Sequence, residues 1–293
     1  MTLLQTKPQR NPTATAIRDA RADSSAGVTR TPIVLVTGGK GGVGKTTLAA
    51  NLALSLSRKR RRVLLVDLDL GLADAHVLLK LSANRTIEDA ILGRCELADC
   101  IVRTEHGLDV LVASSGSPEM GHLSDERRAR LSKALRELSA RYDLVIADGA
   151  AGIGPDVMSF CQLADHVLVV TTPDPAALTD AYGLIKALHA SAESGDRDVA
   201  TPEIVVNRAS GIEEAESVAA KLRLVCERFL SRSPRSAGWM PASGTVEIAA
   251  RFQRPFALDA HESLASRCLD ALAARISRLG RQCESPSGRS RVS

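Results

Sequence analysis

Short apolar runs recur along the chain with polar, helix-spaced stretches between them. Residues 33–36, 63–66, 108–112, 144–146, 167–170 and 204–206 are nearly continuous in Val, Leu and Ile rather than alternating. Such runs predict strands buried on both faces of a parallel sheet. Helical periodicity falls over residues 46–56, 125–138, 176–188 and 211–229. Ser124, followed by Asp125 and Glu126, supplies a cap and acidic first-turn residues to the second of these. Alternating strands and helices predict an α/β fold with a mostly parallel central sheet and helices on both faces. Right-handed crossovers then bring the C-terminal ends of the strands, and the loops after them, to one edge.

Near the end, Leu264, Cys268, Leu272, Ile276 and Leu279 follow helical spacing. A membrane-surface helix and a last core helix both fit that pattern. The apolar residues are small and the opposite face is only modestly basic, which favours the core. Residues 1–30 have no sustained period and read as a flexible arm, and residues 282–293 read as a polar tail. One domain is expected over residues 31–281.

Composition narrows the chemistry. Aromatic residues make up 2% of the 293, so the core is aliphatic and base-stacking platforms are not expected. The net charge of +4 sits at the two ends: ten basic and three acidic residues fall within 1–30 and 275–293, which leaves the middle slightly acidic. Solvated tails account for this better than a nucleic-acid surface does. The run from Arg58 to Arg62 is the best support for a DNA-binding reading, against a cation-rich helix end as the plain alternative. Six cysteines without a C-x-x-C pair read as reduced thiols; Cys95 and Cys100, five apart, are loosely spaced for structural zinc. The N-terminal segment has no apolar signal region and no run is long enough to span a bilayer, so a cytoplasmic location is expected, with membrane contact peripheral at most.

The sharpest signal follows the first strand. Gly39, Lys40, Gly41, Gly42, Val43, Gly44, Lys45 and Thr46 satisfy G-x-x-x-x-G-K-[ST], and Thr47 comes next, opening the first helix. Glycines let successive backbone N–H groups point at phosphate oxygens, and the helix N-terminus adds its positive end. Lys45 is placed to bridge the β- and γ-phosphates of ATP, and the Thr46 hydroxyl to bind Mg²⁺. Two further strands end in carboxylates. Asp67 and Asp69 close the second, with side chains on the same side by alternation, though strand-end turn residues would look alike. Asp148 ends the run 144–147 in the arrangement expected of an Mg²⁺ carboxylate, acting through water.

The second lysine, Lys40, makes the loop resemble the deviant Walker A signature of the MinD/ParA ATPases. That resemblance implies an ATP-dependent homodimer in which Lys40 reaches the nucleotide of the second subunit. It implies a switch I role for Asp69, which positions or activates the attacking water, while Asp67 supports the loop. Catalytic work then falls to Lys40, Lys45 and Asp69, and the Mg²⁺ set is Thr46, Asp69 and Asp148. Asn207, after the run 204–206, matches the residue that meets the adenine edge, and Pro241 falls where relatives line the base pocket. Gly149 departs from the pattern, since relatives often carry a hydroxyl residue directly after the Asp.

Within that group, residues 69–79, 86–92, 107–116, 148–153 and 171–186 resemble the FlhG (also FleN) regulators of flagellar number and placement, the last most distinctively. The resemblance covers about residues 33–260. It implies a cytoplasmic ATPase switch with an FlhF-type GTPase, basal-body components and a flagellar transcription regulator as partners. Residues 1–30 lack the D-Q-A-x-x-L-R element tied to GTPase activation, and no further amphipathic helix follows Leu279. Division-site selection or cargo partitioning by a MinD/ParA-type ATPase is the alternative. Iron–sulfur carriage lacks the paired cysteines it needs.

Overall fold

A computed structural model of the protein describes residues 30–114, 123–193, 201–259 and 262–282. The arm and tail expected at the two ends lie, but for Arg30 and Gln282, outside these residues. Strand β1 (Ile33–Gly38) leads into helix α1 (Lys45–Arg58) and β2 (Val63–Leu68). Short helices α2 (Ala75–Leu78) and α3 (Ile87–Ile91) and a 3-10 turn (Leu97–Cys100) precede the brief strands β3 (Ile101–Arg103) and β4 (Asp109–Leu111). There follow α4 (Asp125–Ser139), β5 (Leu144–Ala151), α5 (Pro155–Leu163), β6 (His166–Thr171) and α6 (Pro175–Glu193). The chain then forms β7 (Glu203–Ala209), α7 (Ile212–Leu230), β8 (Ser236–Pro241), α8 (Gly244–Arg251), α9 (Phe256–Asp259) and α10 (Leu264–Gln282).

The strands make one sheet in the order β3-β4-β2-β5-β1-β6-β7-β8, parallel except for the antiparallel β3–β4 pair. All six strands expected from the apolar runs are present. The two edge strands β3 and β8 were not expected: β3 is three residues long, and Ser236, Ala237 and Gly238 give β8 no apolar signature.

Strand alternation explains the layers. Ile33 and Leu35 of β1, with Leu64 and Val66 of β2, face the layer that holds α4, α5, α6 and α7. Val34, Val36, Val63 and Leu65 face the opposite layer, built on α1, α9 and α10. Every residue of β1 and β2 is buried, which is why the runs are continuous in Val and Leu. Helix α10 is a core helix: Leu269, Leu272, Ala273 and Ile276 pack under the sheet, while Leu264 remains partly exposed. At about 25 cal/mol per Å² of apolar surface, each such buried Leu or Ile contributes about 1.5–3 kcal/mol. Among the described residues no helix is long and apolar enough to cross a membrane.

The Arg58–Arg62 run is tied inward at several points. Arg58 donates to the Ala257 carbonyl at 2.7 Å, Lys59 pairs with Asp270, Arg61 donates to the Ser277 carbonyl and Arg62 pairs with Asp143. These bonds fasten the end of α1 to α9, α10 and the approach to β5, so the run serves the packing of the far edge.

Candidate functional site

The phosphate loop emerges from the C-terminal end of β1, where β1 lies between β5 and β6. Gly44 caps α1 in the left-handed region, at φ 94°, so that its carbonyl starts the helix by accepting the Leu48 N–H. Only glycine takes that backbone conformation without strain. A Cβ there would also lie 2.3 Å from Nδ2 of Asn207. Gly39 is held by contact instead: a Cβ on it would strike the Asp180 carbonyl of α6 at 2.0 Å. Lys45, the first residue of α1, is buried despite its charge.

Pairing of β2 with β5 sets Asp67 directly opposite Asp148, one strand from the loop. Asp67 is buried but well supplied, accepting the N–H of Asp69 and of Ala75, each at 3.1 Å. These bonds hang the 69–75 loop on one carboxylate, as expected for a supporting role. Burial outweighs those donors and pushes the Asp67 carboxyl up to about 7. Asp69, half-buried in the same loop, is raised by burial and partly held down by the Lys45 ammonium.

Asp148 is the anomaly. It is 1% exposed, and neither carboxylate oxygen has a hydrogen-bond partner. Burial, then the Asp67 charge, push it well above the ordinary carboxylate range; Thr46 and Lys45 stand near enough to offset part of this without forming a bond of good geometry. Leaving such a group unpaired costs on the order of 1–3 kcal/mol or more. The donors here are hard oxygens beside a hydroxyl and an ammonium, a set that fits a hydrated Mg²⁺ and a polyphosphate. Among the described residues no three His, Cys, Asp or Glu side chains converge on an ion position.

Lys40 is half-exposed at the rim, and its Nζ lies 3.0 Å from the Asp174 carboxylate. Asp174, held below the usual carboxylate range first by the Ala176 N–H and then by Lys40, stands just before α6. Asp174 was missed as a site residue: its segment carried the strongest family resemblance, yet nothing in the sequence paired it with a lysine 134 positions away. Asn207 is brought to the loop, but its Nδ2 donates to the Val43 carbonyl at 2.7 Å and its Oδ1 accepts the Arg208 N–H. Pro241 is buried one strand further out, with its Cα in register with Ala209. The departure at Gly149 has a packing reason, because a Cβ there would meet Leu35 Cδ1 at 2.9 Å.

Known proteins resemble both the sequence and this geometry. Residues 31–200 match a family model described as an AAA domain. The antiactivator FleN of Pseudomonas aeruginosa is 40% identical over 244 residues, covering 83% of this chain and 85% of FleN. The flagellum site-determining protein YlxH of Helicobacter pylori is 36% identical over 156 residues, 53% of each chain. Among solved structures, the MinD cell division protein of Aquifex aeolicus superimposes with a TM-score of 0.66 at 26% identity, over 84% of this chain and 96% of that one. The cell division ATPase MinD of Pyrococcus furiosus gives 0.70 at 24% identity, over 85% and 99%, and bears on the fold alone.

Proposed function

The chain belongs to the FlhG/FleN family of MinD/ParA-type P-loop ATPases, and on that footing we propose that it is a Mg·ATP-driven dimerisation switch that sets the number or placement of flagella. The observation that carries this reading is the buried, partnerless Asp148 carboxylate beside Thr46 and Lys45, at the mouth of a complete phosphate loop. Thr46, Asp69 and Asp148 would hold a hydrated Mg²⁺ there, and its charge would offset that of the phosphates. Lys45 and the N–H groups of residues 39–46 grip the β- and γ-phosphates. Asp69, on the loop suspended from Asp67, orients the attacking water and accepts its proton. Raising its pKa by burial makes it a better base than an exposed aspartate. Catalysis of this kind is positioning and electrostatics, which suits a slow timer.

Lys40 gives the switch its second subunit. In the single chain its ammonium is spent on Asp174; in the ATP-bound pair it crosses to the partner's triphosphate. The exchanged contact is exposed on both sides and screened by solvent, so nucleotide charge outcompetes it readily. Asn207 turns from Val43 to the adenine edge, and Pro241 closes the base pocket. In this reading an FlhF-type GTPase, flagellar basal-body components and a flagellar transcription regulator read the dimer; the likeness to the antiactivator FleN and to the flagellum site-determining protein YlxH supports it. Asp69→Ala should trap the ATP-bound dimer, seen by light scattering with excess Mg·ATP. Cells lacking the gene should carry an altered flagellar count that the wild-type chain restores and Lys45→Ala does not. An unaltered count would overturn the flagellar assignment while leaving the ATPase intact.

A further inference from the structure

On the face of the molecule that holds α3 and α4, Cys95 and Cys100 stand at the two ends of one short turn, with their Sγ atoms 3.5 Å apart. Among the described cysteines this is the pair in sulfur contact, while Cys161 and Cys226 are fully buried apart from it. Cys95 is half-buried and lines an open cleft of about 540 Å³ with Arg85, Arg94, Arg127 and Arg130. Cys100 lies beneath it, 1% exposed, its S–H donating to the Thr86 carbonyl at 3.0 Å. Neither sulfur lies in the nucleotide site, and among the described residues no group of three metal-ligating side chains forms around them.

We propose that Cys95 and Cys100 are a reversible thiol–disulfide pair, oxidised by hydrogen peroxide or a related hydroperoxide that enters through this cleft. Access divides the labour between the two sulfurs. Burial, and then Cys95, push the Cys100 thiol up to about 12, so Cys100 is a poor first nucleophile. Cys95, the sulfur that the cleft reaches, attacks the peroxide: an S–O bond forms as the O–O bond breaks, and the thiol proton leaves with the departing oxygen as water. The sulfenic acid so formed then meets the Cys100 sulfur, already in contact. An S–S bond replaces the S–O bond, the Cys100 proton leaves with the departing oxygen, and the pair has lost two electrons to one peroxide, which becomes two waters.

The position gives the oxidation a local consequence. Cys100 loses its proton and with it the bond to Thr86, the residue that caps α3 through a reciprocal side-chain bond with Asp89. Helix α3 in turn holds the strand-exit segment, through Ile87 N–H to the Val112 carbonyl and the Ser114 N–H to Glu88. Oxidation therefore acts first on α3 and on residues 112–114.

The sequence supplies a clean readout, because Arg94 and Arg103 bracket both cysteines in one tryptic peptide, residues 95–103. The reduced full-length protein is treated with equimolar hydrogen peroxide at neutral pH, blocked with iodoacetamide under denaturing conditions, digested without reductant and weighed. The expected peptide has lost two hydrogens and takes no alkyl group, free thiols fall from six to four, and dithiothreitol restores both. In Cys95→Ser that mass loss disappears and Cys100 remains a thiol. A 95–103 peptide that takes two alkyl groups after treatment overturns the proposal. So does one carrying a sulfinic acid at Cys95 beside a free Cys100, since the sulfurs then fail to meet.

Discussion

Two buried polar regions flank the same helix, and they are treated in opposite ways. Along the seam between α1 and the segment α9–α10, Asn51 is fully buried and fully satisfied. Its Nδ2 donates to the Thr47 carbonyl at 2.7 Å and its Oδ1 accepts the Ala257 N–H at 2.9 Å. One turn on, the Ser55 hydroxyl donates to Asp270, which also pairs with Lys59. At the other end of α1, Asp148 has nothing to bond and Asp67 is held near neutrality by burial. Asn51 and Ser55, which fasten α1 to α9 and α10, are matched inside the chain, whereas at the phosphate edge neither oxygen of Asp148 is matched. Asp148 thus carries an unmet electrostatic demand that a bound cation would meet.

The largest expected effect tests the edge directly. Lys45→Ala should lower ATP hydrolysis by about a hundredfold or more and remove the rise in melting temperature caused by Mg·ATP. Unchanged ATP affinity by calorimetry in that variant would break the assignment of the loop.

A matched pair of substitutions sharpens the contrast. Asp148→Asn should stabilise the nucleotide-free protein by on the order of 1–3 kcal/mol, by removing a buried unpaired carboxylate, and at the same time abolish the Mg²⁺-dependent thermal shift. Asn51→Leu should have the reverse signature, losing on the order of 1–3 kcal/mol because the Ala257 N–H is left without a partner, with Mg·ATP affinity essentially intact. Equal signs for the two stability changes would erase the distinction between the regions.

Smaller in size is the pH dependence. Asp67 titrates near 7 in the folded chain against an ordinary value of 3.8. Between about 4 and about 7 the folded protein thus holds a proton that the unfolded chain has released. Stability of the nucleotide-free protein from this group is greatest below that window and declines as pH rises through it, with a slope of up to about 1.4 kcal/mol per pH unit. Asp148, raised for the same reason, adds in the same direction. Chemical denaturation across this range, repeated on Asp67→Asn, should show the slope shrink. The smallest effect belongs to the rim: Lys40→Ala should leave the stability of the single chain essentially unchanged, yet prevent the ATP-bound dimer in light scattering.

Much of the architecture was legible from local patterns. Strands buried on both faces must be continuous in aliphatic residues, and that gave the six central strands their signature without any knowledge of pairing. The glycine-lysine loop was legible because that residue pattern between a strand and a helix turns successive backbone amides toward one point. Elements without a pattern of their own escaped. Strand β8, with Ser236, Ala237 and Gly238, exists because β7 offers it a free edge, and α5 announces itself only by Pro155 at its start. The cysteine reading was incomplete for a similar reason: spacing along the chain argued against zinc, but only the fold brings Cys95 and Cys100 into contact.

By itself, then, the sequence determined the layer order of helix and sheet, the phosphate loop and which carboxylates end strands. Those follow from side-chain periodicity and backbone sterics, which act over a few residues. Tertiary structure alone decided that Asp67 sits satisfied while its strand neighbour Asp148 does not, that Lys40 rests on Asp174, and that the Arg58–Arg62 run is tied into the far edge. These depend on dielectric environment and on contacts between residues far apart along the chain, and neither quantity exists until the layers have closed.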